Sequence, residues 1–207
     1  TTPRLARIKG MESFQGEAFH TSRWDYNVDL KDKRVAIIGT GATAVQAVPE
    51  LAKIVKELYV FQRTPSSIDV RDQRATTQDE IETWAKEPGW ARARRERLAT
   101  ISSGRTALKG NDDFLSGKVA DFKERKVHAT VLTPEELMQK QLNTNFRIME
   151  QIRARVDATV KDAKTAESLK PYYPYGCKRP AFHDEYLPTF NLPHVTLVDT
   201  APLGVSE

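Results

Sequence analysis

Short apolar runs and one helical repeat of apolar residues organise the first third of the chain. Residues 34–38 and 58–61 are mostly apolar and are bounded by charge or glycine, which predicts two buried parallel strands. Between them, apolar residues from Ala44 to Val55 recur at helical spacing and predict a helix. We expect Pro49 to bend that helix or to end its first part. The order strand, glycine turn, helix, strand predicts one βαβ unit.

The pattern changes between residues 68 and 168, where charged residues dominate and glycine is sparse. Helical spacing recurs there at residues 77–85, 91–101, 113–124 and 133–160. The run Thr133-Pro-Glu-Glu136 combines an N-cap, a proline at the first helical position and a capping glutamate. We interpret this stretch, about 68–168, as a helical insertion in an α/β domain that spans residues 30–207. Parallel-strand character returns at residues 195–199, and residues 1–29 predict a loop-rich linker.

Composition and charge exclude several classes of protein. The chain has 207 residues, of which 39% are hydrophobic, so it can bury a sizeable core. A net charge of +4 suits a phosphate-bearing ligand, but the sequence contains no clustered basic module that reads nucleic acid. We also expect no membrane partner and a cytoplasmic location, because no apolar stretch reaches bilayer length and Cys177 is the single cysteine. We expect no metal, since only residues 183–185 resemble a ligand cluster.

A glycine turn, Gly39-Thr-Gly-Ala-Thr-Ala44, follows the first predicted strand. Gly39 permits the tight turn, Gly41 lets the backbone approach a pyrophosphate, and Ala44 keeps the helix close to the strand. The helix N-terminus then supplies unpaired N–H groups and a positive dipole end to the phosphates. The sequence therefore predicts an α/β fold, a Rossmann-like FAD/NAD(P)-binding domain with a parallel sheet and a helical insertion. The alternative is a glycine turn in an unrelated α/β fold.

The end of the second predicted strand indicates which coenzyme is bound. An NAD site places Asp or Glu there to hold the ribose 2′-hydroxyl, whereas this chain has Gln62-Arg63-Thr64. An arginine can bind a 2′-phosphate through charge-assisted hydrogen bonds, and Thr64 adds a neutral donor. We therefore expect a preference for NADP(H). The alternative is an exposed arginine at a strand end without a ligand.

A second motif lies just before the glycine turn. Phe14, Gly16, His20 and Trp24 complete the pattern FxGxxxHxxxW. With the glycine turn behind it, this motif resembles that of the flavin-dependent Baeyer–Villiger monooxygenases, the class B flavoprotein monooxygenases. The runs 61–65 and 176–179 are similar to segments that those enzymes carry in the same order. Essentially the whole chain resembles their NADPH-binding domain.

The resemblance implies a reaction and a set of roles. Such enzymes use NADPH, FAD and O2 to convert ketones to esters or lactones. It implies that Arg179 is the catalytic residue, which stabilises a negatively charged peroxyflavin. It further implies a linker motif and a cofactor-binding set: Phe14, Gly16, His20 and Trp24 in the linker; Gly39, Thr40, Gly41, Thr43, Ala44 and Gln46 around the pyrophosphate; Arg63, Thr64 and Lys178 at the 2′-phosphate.

Some roles keep a plainer alternative. His20 is implied to be a hinge between domains, but taken alone it is a loop histidine that caps or bridges backbone. Without the resemblance, Lys178-Arg179 is a solvated basic pair in a loop bounded by prolines.

The sequence has no second glycine turn of the kind with which the family binds FAD. We therefore expect this chain to bind NADP(H) and to be inactive alone, with FAD, its domain and the ketone as partners in the full-length enzyme. One alternative is a stand-alone NADP(H)-binding sensor or partner module without catalysis. A simple dehydrogenase is disfavoured, because no Tyr-Lys or histidine constellation for hydride transfer stands out.

Overall fold

The computed structural model describes residues 8–86, 88–102 and 133–201. The chain divides into two compact units, one of Thr1–Val70 with Ile148–Glu207 and one of Arg71–Arg147. No helix among the described residues combines the length and the apolar character needed to cross a bilayer.

A three-stranded parallel sheet forms the frame of the first unit. Its strands are β1 (Arg34–Ile38), β2 (Glu57–Gln62) and β5 (Val195–Asp199), in the order β1-β2-β5. In the register, Ile38 pairs with Phe61 and Gln62 pairs with Asp199. Because all three strands run the same way, their carboxyl ends meet at one edge of the sheet. The predicted strands and the predicted α/β fold class are confirmed.

Helix α1 (Ala42–Ala52) follows the glycine turn and packs on this sheet. It continues for three residues beyond Pro49, so the proline does not end it. Val45, Val48 and Pro49 are all buried. Packing of this apolar face stabilises the helix and offsets the one hydrogen bond that Pro49 cannot donate.

The core of the first unit lies between the sheet and helices from distant parts of the chain. Leu58 and Val60 of β2 are completely buried there. Helices α5 (Ala163–Leu169) and α6 (Tyr186–Thr189) add residues to this core, as does the end of α4 (Pro134–Thr159). Val156, Val160 and Ala166, which the sequence places in the helical insertion, therefore pack in the core of the first unit. The boundaries of the linker and the insertion remain predictions.

The second unit contains α2 (Gln78–Ala85), α3 (Trp90–Ser102) and the first part of α4. A capping box begins α2, where Thr77 and Glu80 exchange hydrogen bonds. A similar exchange begins α4: Thr133 N–H donates to Glu136 at 2.8 Å, and Glu136 N–H donates to the Thr133 hydroxyl at 3.3 Å. These three helices confirm the predictions for residues 77–85, 91–101 and 133–160. The predicted helix at 113–124 lies outside the described residues.

A second, two-stranded parallel sheet, which the sequence does not predict, pairs β3 (Ile68–Asp69) with β4 (Ala181–Phe182). Arg155 of α4 holds the ends of both strands, because its guanidinium donates to Ile68 O at 3.0 Å and to His183 O at 2.9 Å. Burial lowers the pKa of Arg155, although Asp69 and Asp184 favour its charged form. Arginine nonetheless stays protonated at neutral pH. This contact fixes the strand that follows Arg179.

We expect Arg155→Ala to lower the free energy of unfolding by about 2–4 kcal/mol, because two charge-assisted hydrogen bonds are lost. The matched variant Arg92→Ala removes an exposed ion pair with Glu96, and its cost should be about 0.5 kcal/mol or less. Denaturant unfolding followed by circular dichroism measures both changes. Equal, small losses would show that Arg155 does not hold the two strands.

Candidate functional site

The glycine turn lies at the carboxyl end of β1 and is tied to the end of β2. Gly39 N–H donates to Phe61 O at 2.9 Å, one step beyond the paired strands. The φ angle of Gly39 is 105°, a conformation that glycine adopts readily and other residues do not. The turn therefore directs the chain from β1 into α1 at the edge where the strands end.

Open space lies in front of this turn. A Cβ atom added at Gly39 or Gly41 would meet no atom within 4 Å. Gly41 is the N-cap of α1 and supplies no side-chain cap. The N–H groups of the first helical turn have no acceptor within the helix. Unpaired amides beside a space that a side chain would fill fit an anionic group such as a pyrophosphate.

Thr40 faces inward and fastens the turn to the loop that follows β2. Only 7% of the residue is exposed, and its hydroxyl donates to Thr64 O at 2.8 Å. Ser66 donates its hydroxyl hydrogen to Thr40 O. The Thr40 side chain therefore sets the position of the turn, and its hydroxyl is already used within the chain.

The predicted cofactor-binding residues in the first turns of α1 lie on two different faces of the helix, one buried and one exposed. Ala44 is buried against the core, where its small side chain lets the helix lie close to the sheet. Thr43 and Gln46 are exposed. The Gln46 amide donates to Ala42 O at 2.8 Å, which holds it along the helix surface.

Arg63 follows β2 directly and is exposed. The preceding residue, Gln62, is held in place and is only 1% exposed. Its side-chain amide donates to Ser168 O at 2.7 Å, and its carbonyl oxygen accepts from Thr200 N–H at 2.7 Å. Within the described ranges, the Arg63 side chain makes no hydrogen bond or ion pair. Its position is therefore fixed at the backbone while its charge stays available.

A cavity of about 230 Å³ opens beside Arg63, and Lys170 and Asp199 also line it. Lys170 is neutralised, because its ammonium pairs with Asp157 at 2.8 Å and with Glu167 at 2.9 Å. The hydrogen bond to Asp157, followed by that to Glu167, raises the pKa of Lys170. Of the two cations at this cavity, Arg63 is thus the one that a ligand can pair with.

Lys178 lies far from Arg63 in the sequence, but the structure links it to the same loop. Its Nζ lies 5.0 Å from the centroid of the Tyr173 ring. The Tyr173 hydroxyl in turn donates to Pro65 O at 2.8 Å. The sequence does not single out Tyr173, because nothing in the segment 172–175, which holds three tyrosines, marks which one bonds to the loop after β2.

Arg179 is exposed just before β4. The following backbone is fixed, because Ala181 N–H donates to Ser67 O at 2.9 Å. In the part of the chain that the structure describes, the Arg179 guanidinium has no hydrogen bond or ion pair. The permanent positive charge of Arg179 thus lies at the surface, next to a strand, β4, whose backbone is hydrogen-bonded in place.

In the linker motif, the Phe14 ring covers Gly16. A Cβ added at Gly16 would lie 2.7 Å from the ring, which explains why a glycine follows at this spacing. Phe14 itself is 65% exposed. Trp24 packs against the core of the first unit, so the motif has one end on the core and one at the surface.

His20 caps a short 3-10 helix, Thr21–Arg23. Its Nδ1 accepts the hydrogen bond of Ser22 N–H at 3.1 Å. This geometry matches the alternative of a loop histidine that caps backbone, while the hinge role stays a prediction.

His183 also caps backbone, since its Nδ1 accepts from Glu185 N–H at 3.1 Å and from Tyr186 N–H at 3.2 Å. Among the described residues, no three His, Cys, Asp or Glu side chains are grouped so that they could hold a metal ion.

Comparisons with known proteins support the resemblance. No family model matches the chain. A Baeyer–Villiger monooxygenase of Stachybotrys chlorohalonatus is 48% identical, over 98% of this chain and 34% of its own length. The solved structure of the polycyclic ketone monooxygenase of Thermothelomyces thermophila is similar with a TM-score of 0.79 and 43% identity, over 99% of this chain and 35% of that one. A structure of OTEMO in complex with FAD and NADP is similar with a TM-score of 0.67 and 31% identity, over 96% of this chain and 39% of that one.

The chain thus spans about a third of the length of the curated relatives it matches. The resemblance to the Baeyer–Villiger monooxygenases is thereby confirmed: in sequence and in fold, the chain matches about a third of such an enzyme.

Proposed function

We propose that the chain is the NADPH-binding part of a Baeyer–Villiger monooxygenase, which converts a ketone to an ester or lactone. The observation that carries the proposal is the open glycine turn at the start of α1, beside an uncommitted arginine at the end of β2. The relatives named Baeyer–Villiger monooxygenase and the structure of OTEMO with FAD and NADP support it. A stand-alone sensor or partner module is not favoured.

The pyrophosphate of NADPH would lie against the N-terminus of α1. Gly39 and Gly41 leave the space for it, and the amides that follow point their hydrogens and the helix dipole at its charge. Thr43 and Gln46 are exposed near this end of the helix and would line the group. Thr40 and Ala44 contribute by holding the turn and the helix in place.

The 2′-phosphate would pair with Arg63, Thr64 and Lys178. A guanidinium and an ammonium without competing carboxylates bind a phosphate dianion more strongly than a neutral ribose hydroxyl. Of the two acidic residues that share the cavity with Arg63, Glu167 pairs with Lys170. Asp199 accepts a hydrogen bond from Ala201 N–H and keeps its single negative charge, which the two positive charges of Arg63 and Lys178 exceed. The local charges therefore favour NADPH over NADH.

Arg179 would be the catalytic residue, placed where its permanent positive charge faces negative charge that develops in the reaction. When bound in the full-length enzyme, FAD supplies the chemistry with oxygen. We further propose that residues 1–29 are the linker and 30–207 the NADPH domain with its insertion. In that linker Phe14, Gly16 and Trp24 fix the path of the chain, and His20 acts as the hinge.

We expect Arg63→Ala to weaken the binding of NADP+ by about 1.5–3 kcal/mol, roughly tenfold or more, and to leave NAD+ affinity unchanged. The loss falls on NADP+ alone because only NADP+ carries the 2′-phosphate. Isothermal titration calorimetry of the chain with both nucleotides measures the difference.

The matched control for this variant is Arg34→Ala. Arg34 is an exposed arginine at the amino end of β1, and Glu57 is its register partner on β2. This end of the sheet is opposite to the end that carries the glycine turn. Arg34→Ala should change neither affinity. An unchanged preference for NADP+ in Arg63→Ala would refute the coenzyme assignment.

The two glycines should respond differently to alanine. Gly39→Ala strains a backbone at φ 105° and should cost about 1–2 kcal/mol of stability. Gly41 has φ −73°, so Gly41→Ala should change stability by about 0.5 kcal/mol or less, while its methyl group blocks NADP+ and NAD+ alike. Denaturant unfolding and calorimetry separate the two effects. Normal nucleotide binding by a folded Gly41→Ala variant would argue against a pyrophosphate at this turn.

A further inference from the structure

We propose that Tyr173 is a specificity-determining residue, which sets the preference for the 2′-phosphate by holding Lys178 beside the loop that follows β2. This inference rests on the proposed function. It assigns Tyr173 a positioning role, since its ring and hydroxyl act on the cation and on the loop and not on the nucleotide itself.

The Tyr173 hydroxyl is anchored in both directions. It donates to Pro65 O at 2.8 Å and accepts from Ser67 N–H at 3.2 Å. Ser67 also accepts from Ala181 N–H through its own carbonyl, so the hydroxyl is bound to a segment that β4 braces. These bonds fix the ring relative to the loop that begins at Arg63.

The face of the ring holds Lys178. The 5.0 Å from its Nζ to the ring centroid lies within the range of a cation–π contact. Within the described residues, no carboxylate pairs with Lys178. Lys170 differs from Lys178, because two carboxylates position Lys170 and cancel its charge. An aromatic ring positions Lys178 and leaves its charge available.

A second aromatic contact limits the freedom of the Tyr173 ring. Tyr172 lies edge-on to it, with centroids 5.9 Å apart and planes at 82°. Restriction of the ring restricts the lysine in turn, and less side-chain entropy is lost when a phosphate binds. Tyr173 thus joins two segments that are distant in sequence, one carrying Arg63 and Thr64 and the other Lys178.

The test measures the affinities of the chain for NADP+ and NAD+ by calorimetry in Tyr173→Phe and Tyr173→Leu. Tyr173→Phe keeps the ring and loses both hydroxyl bonds, so NADP+ should bind about threefold to tenfold more weakly while NAD+ affinity stays the same. Tyr173→Leu also loses the cation–π contact and should weaken NADP+ by about a further twofold to fivefold.

Two controls make the result specific. Tyr59→Phe removes a tyrosine hydrogen bond to Glu57 near the start of β2 and should not alter the preference. In a Lys178→Ala background, Tyr173→Phe should have little additional effect, because the cation that it positions is already gone. Thermal unfolding of each variant reports whether it is folded.

Equal weakening of NADP+ and NAD+ in Tyr173→Phe would mean a merely structural role and would overturn the inference. The inference would also be overturned if both tyrosine variants kept the preference for NADP+ over NAD+ while Arg63→Ala lowered that preference. The proposed function would then stand. If Arg63→Ala and Lys178→Ala both keep the full preference, the proposed 2′-phosphate site fails, and the inference fails with it.

Discussion

The parallel pairing of β1 with β2, continued by the hydrogen bond from Gly39 N–H to Phe61 O, is the constraint on which the rest of the site depends. It places the glycine turn and Arg63 at the same edge of the sheet, where a dinucleotide can reach both. The hydrogen bond from the Thr40 hydroxyl to Thr64 O ties the glycine turn to the loop that follows β2 as well. Loss of this register would separate the proposed pyrophosphate contacts from the proposed 2′-phosphate contacts.

The cations at this edge of the sheet differ in whether a carboxylate pairs with them. Lys170 and Glu167 neutralise each other beside the cavity, which leaves Arg63 as the cation there without an ion pair among the described residues. Lys178 and Arg179 come from a loop that the β3–β4 pair and Arg155 brace. A rigid frame with uncommitted cations suits a highly charged nucleotide, because little has to reorganise when it binds.

The sequence predicts what depends on local pattern. Strands β1 and β5, helix α1 and the capping box at Thr133 follow from apolar spacing and cap residues, and the glycine turn follows from its position between strand and helix. The β3–β4 pair is missed because two-residue strands carry no periodicity. The roles of Tyr173 and Arg155 are missed because each depends on carbonyl groups distant in sequence. Family resemblance, more than spacing, directs attention to Lys178 and Arg179.

The most direct test of the account is a map of backbone amide chemical shifts in isotope-labelled chain, titrated with NADP+ and then with NAD+. Both nucleotides should shift the amides of Gly41, Ala42 and Thr43, since both carry the pyrophosphate. The difference between them should be confined to Arg63, Thr64 and Lys178. Shifts centred away from the glycine turn, or an identical response to the two nucleotides, would contradict the account.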